Sequence, residues 1–347
     1  MMDSTYAGAY GYMKVLYTEL LKKEELVSLE SAETKDFISR LGTTIYKEDL
    51  DRFYSMYKEP DIIDIAVNAH FVRMCTKAMV LLPPIGREVI RAYLRKIDIQ
   101  NIKLVLSAKS LGKEVEVKDY FLTVDSGFPV GSSSPLLSNE DYVNLINQKS
   151  VQDIISYLTR FGYSSSLLKF SVSSESSHNT RSISLALDID YYDRLKRSLK
   201  FYNGDEGPVL RFIQSLIDLR NIMTVIKAIE LGVSPADLLI DGGNISKDQL
   251  LEESKRNLEG FINKLPFDLK DALALYNKDG LIANFEIELK RQIYSRYLSV
   301  FRGSSLSLGN LLGFVISAEI EKDSVRLGWF KKYYKLEKEV IDIGYGI

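Results

Sequence analysis

Asp188, Asp190 and Asp193 lie close enough together to suggest metal-dependent chemistry. Neighbouring carboxylates can share a divalent cation, so a helical enzyme working through Asp188 and Asp190 is one reading. Their spacing does not stack all three on one helix face, and acids near a helix start are favoured by its dipole, so the plainer reading is local helix electrostatics. The two histidines, His70 and His178, are far apart in sequence, and no HExxH pattern accompanies them. Cys75 is the sole cysteine, so a His/Cys zinc site is not expected. It sits in the apolar run HFVRMCTKAMVLL and reads as core rather than nucleophile; a single cysteine also excludes an internal disulfide and points to a reducing, intracellular compartment. The sequence has no GxxxxGK[ST] loop, so it is not expected to hydrolyse ATP itself.

The segment Trp329 to Lys335, WFKKYYK, could stack bases beside phosphate contacts. A net charge of −2 and an isoelectric point near 5.9 give no electrostatic case for nucleic acid. At helical spacing, Trp329, Tyr333 and Leu336 form one apolar stripe and the lysines stay wet. The basic run Arg194 to Lys200 likewise reads as a solvated helix face. The 21 tyrosines suit broad interfaces, where an amphipathic ring supplies area and a polar tip. Asn244-Ile-Ser246 matches a glycosylation pattern that is common by chance.

Two further polar pairs, Asp98 with Asn101 and Asp218 with Asn221, sit inside long helical patterns. They could bind a cation or a backbone segment of a partner. Alternatively they tie neighbouring helices of the same chain through buried hydrogen bonds, and the small residues Ala108 and Gly112 let another helix approach closely.

The elements that must position these residues are helices. Apolar spacing predicts helices over Tyr12 to Leu29, over Asp61 to Leu82 with a stop at Pro83-Pro84, and over Gly86 to Gly112 as one or two segments ending at a capping glycine. Strand-like alternation is confined to Val115 to Val117 and to the region of Lys169 to Val172. An almost all-α fold is expected. Linkers are expected at Gly127 to Pro135 and Ser164 to Ser184, with turns at Phe201 to Pro208 and Asp241 to Asn244. At 347 residues the chain is long enough for two or three domains. No apolar run reaches the roughly 18 residues of a membrane span, and the N-terminal residues lack the pattern of a signal peptide.

The strongest internal signal is a repeat. Ile97 to Gly112, IDIQNIKLVLSAKSLG, and Ile217 to Gly232, IDLRNIMTVIKAIELG, share eight of sixteen positions, where unrelated segments share about one. Most of the shared residues (Asp98, Asn101, Ile102, Val105, Ala108 and Gly112, with Asp218, Asn221, Ala228 and Gly232 in the second copy) fall on one helix face. A fainter echo relates Asp36 to Tyr46 with Asp153 to Tyr163. Two echoes in one order at nearly one offset imply a duplicated helical unit.

These residues resemble the C subunit of the archaeal A-type ATPase/ATP synthase, a family equivalent to the d subunit of eukaryotic V-type ATPases. The likeness extends to Leu41 with Tyr46, to Leu158 with Tyr163, and to Leu187, Asp188 and Tyr191 or Tyr192. It also reaches a third unit, where Leu308 to Glu321 matches the family's helix and Ser324-Val325-Arg326 stands where the family has Asn-Leu-Arg. The resemblance places Glu321 and Arg326 among the repeat residues. It implies three similar helical domains (1–120, 121–240 and a divergent 241–347) arranged as a funnel about a pseudo-threefold axis. It further implies a non-catalytic central-stalk subunit of a proton-translocating rotary complex, with no cofactor or metal. Such a subunit sits on the cytoplasmic side, takes central-shaft subunits and the membrane proteolipid ring as partners, and meets the membrane only through them. A general helical adaptor remains the main alternative, ahead of the Asp188/Asp190 enzyme.

Overall fold

The computed structural model describes residues 7–80, 82, 84–114, 137–163, 167, 180–199, 206–303 and 307–335. Both strand-like stretches, the 127–135 linker, most of the serine-rich 164–184 segment, His178, Leu336 and the first residues of the 201–208 turn lie outside them. The described residues are helical, with no strand among them.

The chain divides into two compact units, one of Met1–Phe201 with Phe314–Glu337 and one of Tyr202–Gly313 with Lys338–Ile347. In the first, α1 (Ala7–Thr18), α2 (Lys23–Ser31), α3 (Thr34–Leu41) and α4 (Lys47–Phe53) precede α5 (Asp61–Val80) and α6 (Pro84–Ser110). The single helix expected over Tyr12 to Leu29 is therefore two. The break falls where the Leu21 amide leaves the helical ladder to bond Glu321, while the Glu25 side chain caps the Lys22 amide at the start of α2 at 2.7 Å. α5 is buried on almost every side, as an apolar helix without a polar face must be. Cys75 lies in its core, and burial pushes the thiol well above its usual range. Pro84 opens α6 as its first residue, where its missing N–H costs nothing, and the helix runs unbroken for 27 residues.

After α6, α7 (Asn139–Ile146) and α8 (Val151–Leu158) start at Ser138 and Ser150, whose hydroxyls accept the amides of Asp141 and Asp153. α9 (Thr180–Ser198) then packs along α6, and the Tyr191 hydroxyl donates to the Tyr93 carbonyl at 3.2 Å. The second unit holds α10 (Glu206–Leu231), α11 (Lys247–Glu253), α12 (Leu258–Ile262), α13 (Lys270–Asp279) and α14 (Ala283–Arg302). Its core joins Ile222, Val225 and Ile226 of α10 to Leu239, Leu250, Phe261, Phe285 and Leu289.

The last helix, α15 (Leu308–Tyr333), continues into the first unit. There Val325 and Trp329 join the core formed by α2 to α5. The Trp329 indole N–H donates to the Pro60 carbonyl at 3.1 Å, and its ring lies 5.3 Å from that of Tyr333, while Lys331 and Lys332 stay partly exposed. The end of the described chain thus packs on its beginning. Each long helix, α6, α10 and α15, receives the short helices that come next, with α15 receiving those of the N-terminal region.

Candidate functional site

The repeat residues build one kind of joint three times, with different donors each time. In α6, Asp98 is fully buried and its Oδ1 accepts the Tyr142 hydroxyl of α7 at 2.5 Å. The Asn101 amide donates to the same tyrosine oxygen at 3.2 Å. Burial, reinforced by Asp98, raises the Tyr142 phenol far above its usual range, so it stays a donor.

In α10, Asp218 and Asn221 hold the loop before α11. Asp218 accepts the Asn244 side-chain amide at 2.8 Å and the backbone N–H groups of Asn244 and Ile245 at 3.2 and 3.0 Å. Burial pushes its carboxyl up, against these hydrogen bonds. Asn221 pairs with both polar groups of Ile240: its amide donates to the carbonyl at 2.8 Å, and its oxygen accepts the N–H at 2.9 Å. Gly243 passes so close that a Cβ there would lie 2.2 Å from Asp218 Oδ1. Asn244, notable in sequence only for a glycosylation pattern, is one of the donors.

In α15, Glu321 stands in the register of Asp98 and Asp218, and Ser324 replaces the asparagine. The longer Glu321 reaches two donors unaided: Oε2 accepts the Leu21 N–H at 2.6 Å and Oε1 the Tyr46 hydroxyl at 2.8 Å. Burial outweighs both hydrogen bonds and pushes its carboxyl up to about 7. Tyr46 in turn lies 4.2 Å, ring to ring, from His70, which contacts Asp49 at 2.8 Å and is pushed down by burial. Five residues beyond Glu321, Arg326 pairs with Asp64 of α5 at 2.5 Å.

Two residues before Glu321 the environment reverses. Glu319 accepts the Lys96 ammonium of α6 on both oxygens, at 2.6 and 2.5 Å, and the Tyr93 hydroxyl at 2.6 Å. Burial alone would raise this carboxyl, but Lys96, Lys322 and Tyr93 hold it below the usual carboxylate range.

Gly112 and Gly232 act differently from the expectation of close helix approach. Gly112 and Gly232 both have φ of +64°, and nothing lies within 4 Å of where their Cβ atoms would be. They end the helices: Gly112 and Lys113 donate to the Lys109 and Ala108 carbonyls, and Gly232 and Val233 to those of Ile229 and Ala228, a Schellman cap each time. Ala108 and Ala228 supply carbonyl acceptors there. Lys335, at the equivalent position of α15, is left-handed too (φ 49°) and donates to the Lys332 carbonyl.

The acidic cluster disperses. Asp188 pairs with Lys103, Asp190 with Arg194 at 2.7 Å and Arg95 at 3.8 Å, and Asp193 with Lys196 at 3.3 Å. Among the described residues, no three His, Cys, Asp or Glu side chains converge as a metal site, and no helix is long and apolar enough to cross a membrane. The arrangement clamps backbone, hydroxyl and amide groups of its own chain.

The family described as ATP synthase (C/AC39) subunit matches residues 9–342. The chain is similar to the A-type ATP synthase C subunit of Thermoplasma volcanium, with 38% identity over 98% of both chains. The C subunit of Thermoplasma acidophilum is 34% identical, again over 98% of both. That of Methanocaldococcus jannaschii is 22% identical over 88% of this chain and 76% of its own.

Proposed function

We propose, from the premise that this chain belongs to the ATP synthase (C/AC39) subunit family and is a subunit of the rotary ATP synthase, that it works as a non-catalytic central-stalk subunit. In this reading it joins the central-shaft subunits to the membrane proteolipid ring on the cytoplasmic side. It touches the membrane only through those partners and carries torque between them. Its three repeated helical domains form the socket, and the threefold funnel implied by the resemblance belongs to the proposal.

The observation that carries the reading is how the polar residues are used. Buried carboxylates and amides of this kind would serve catalysis if they converged on a cavity. Here Asp98, Asn101, Asp218, Asn221 and Glu321 close on backbone and hydroxyl groups of their own chain. A buried hydrogen bond left unmade costs about 1–3 kcal/mol, so such joints resist shear between packed helices. Stiffness at each long helix is what a torque-bearing part needs, and close-packed interiors supply it. The paired state of Asp188 and Asp190 supports the same reading over a metal-dependent enzyme.

The test is affinity capture of the tagged chain from detergent-extracted membranes, followed by mass spectrometry. Co-recovery of shaft subunits and proteolipid is expected. Recovery of catalytic subunits without either would overturn the central-stalk assignment.

A further inference from the structure

The joints closed by Asp98 and Glu321 differ in how charge is arranged around them. Tyr163 stands beside the first where Tyr46 stands in the second, and the Arg95 guanidinium lies 4.3 Å over the Tyr163 ring. Burial and Asp98 push the Tyr163 phenol up while Arg95 draws it down, so this tyrosine senses an acid and a permanent cation together. Over Tyr46 the neighbour is His70, 4.2 Å away ring to ring. Burial favours the neutral imidazole. An imidazolium donates from both nitrogens, yet only Nδ1 meets Asp49, and Nε2 has no hydrogen-bond partner among the described residues. A neutral ring thus takes the place of a fixed charge.

Glu321 is left as a buried acid without a counter-ion among the described residues. Glu25 of α2 repels its charge. The cations on the surrounding elements are engaged elsewhere. Arg73 of α5 pairs with Asp49 and Glu48, Lys77 of α5 with Glu19, and Arg40 of α3 donates to Ser28. On α15 itself, Lys322 pairs with Asp323 at 3.1 Å and Arg326 with Asp64, while Glu319 takes Lys96 of α6.

Both protonation states can keep the contacts, at very different cost. The neutral acid accepts the Leu21 N–H on one oxygen, and its protonated oxygen stays against the Tyr46 hydroxyl, which can donate or accept. The anion accepts both donors but buries a bare charge, which is expensive. Relief lies next to it. Leu21 sits in the short turn between α1 and α2, its amide spent on Glu321 rather than on a helix, and Lys22 and Lys23 beside it are exposed. Lifting that turn admits water to the carboxylate without breaking a helical hydrogen bond.

We propose that Glu321 is the bolt of a proton-operated latch: the neutral carboxyl holds the α1–α2 turn on α15, and loss of its proton frees the turn at Leu21 while α2 to α5 stay packed. The device is independent of the stalk role.

The test follows the Leu21 amide of the full chain by hydrogen exchange, corrected for the intrinsic pH dependence of exchange. With the carboxyl at about 7 in the closed joint and an ordinary 4.5 in the open one, protection at Leu21 is expected to fall roughly twenty-fold from pH 5.5 to 8. His70 stays buried in this opening and adds no slope of its own. Low urea should leave the exchange unchanged, since a local opening exposes little surface. Glu321→Gln cannot ionise and should give equal protection at both pH values. Wild-type protection that ignores pH, or a pH response that survives in the Glu321→Gln variant, would overturn the latch. So would exchange that urea accelerates in step with the core amides of α5, because the turn then opens only when the whole unit unfolds. Where the variant fails to fold, the wild-type pH and urea profiles decide alone.

Discussion

Replacing Asn221 with alanine isolates one joint. Asn221 is fully buried, and its side chain satisfies both polar groups of Ile240, at 2.8 and 2.9 Å. Truncation leaves a buried N–H and a buried C=O without those partners. At about 1–3 kcal/mol per orphaned group, the loss is on the order of 2–6 kcal/mol, a large share of a domain's usual margin. It should fall on the unit that contains α10 to α14. The single tryptophan, Trp329, lies in the other unit, so its fluorescence is a poor reporter of this change. Far-UV circular dichroism in urea, combined with hydrogen exchange of the Ile240 amide, reads it directly. Exchange at Ile240 should speed up by at least about thirty-fold, since 1.4 kcal/mol is a factor of ten. Unchanged exchange and an unmoved urea transition, together with lost binding to shaft or ring, would refute the argument and return Asn221 to a partner-binding role.

Further outcomes follow from the same geometry. Glu321, pushed up to about 7 from an ordinary 4.5, holds a proton in the folded state that the unfolded chain has already released. Its contribution to stability is therefore full below about pH 4.5 and falls as pH rises through 7, by about 3 kcal/mol in all. Glu321→Gln should abolish that slope. His70, pushed down by burial, gives a slope of opposite sign below about 6.5, so the test is the variant-minus-wild-type difference in urea midpoint between pH 5 and 8. Gly243→Ala forces a methyl onto Asp218 Oδ1 and should cost about 1–3 kcal/mol, read as a lowered urea midpoint of the same unit. Lys335→Gly relieves a left-handed lysine and should stabilise the end of α15 by up to about 1 kcal/mol, read as slower amide exchange in its last turn.

The helices and the repeated acid–asparagine face were legible in sequence because periodicity and self-similarity are local signals. What completes each joint was not. Asp98 finds a tyrosine 44 residues away, Asp218 an asparagine 26 away, and Glu321 an amide 300 residues back. A hydroxyl, a side-chain amide and a backbone N–H leave no common trace for a pattern to catch. The break between α1 and α2 was hidden for the same reason, since its cause lies in α15. Gly112 was legible as a cap from its position, whereas the close-approach reading needed a neighbour that sequence cannot supply. Lys335, a cap without glycine, carried no signal of its own.

The central claim is that this chain couples a motor without performing its chemistry. Membrane vesicles containing the complex, stripped of this chain and then re-supplied with it, test that claim most directly. ATP hydrolysis should persist without the chain while ATP-driven ion uptake is lost, and uptake should return with the wild-type protein. Undiminished uptake in its absence, or hydrolysis that vanishes with it and returns with the isolated chain alone, would contradict the account.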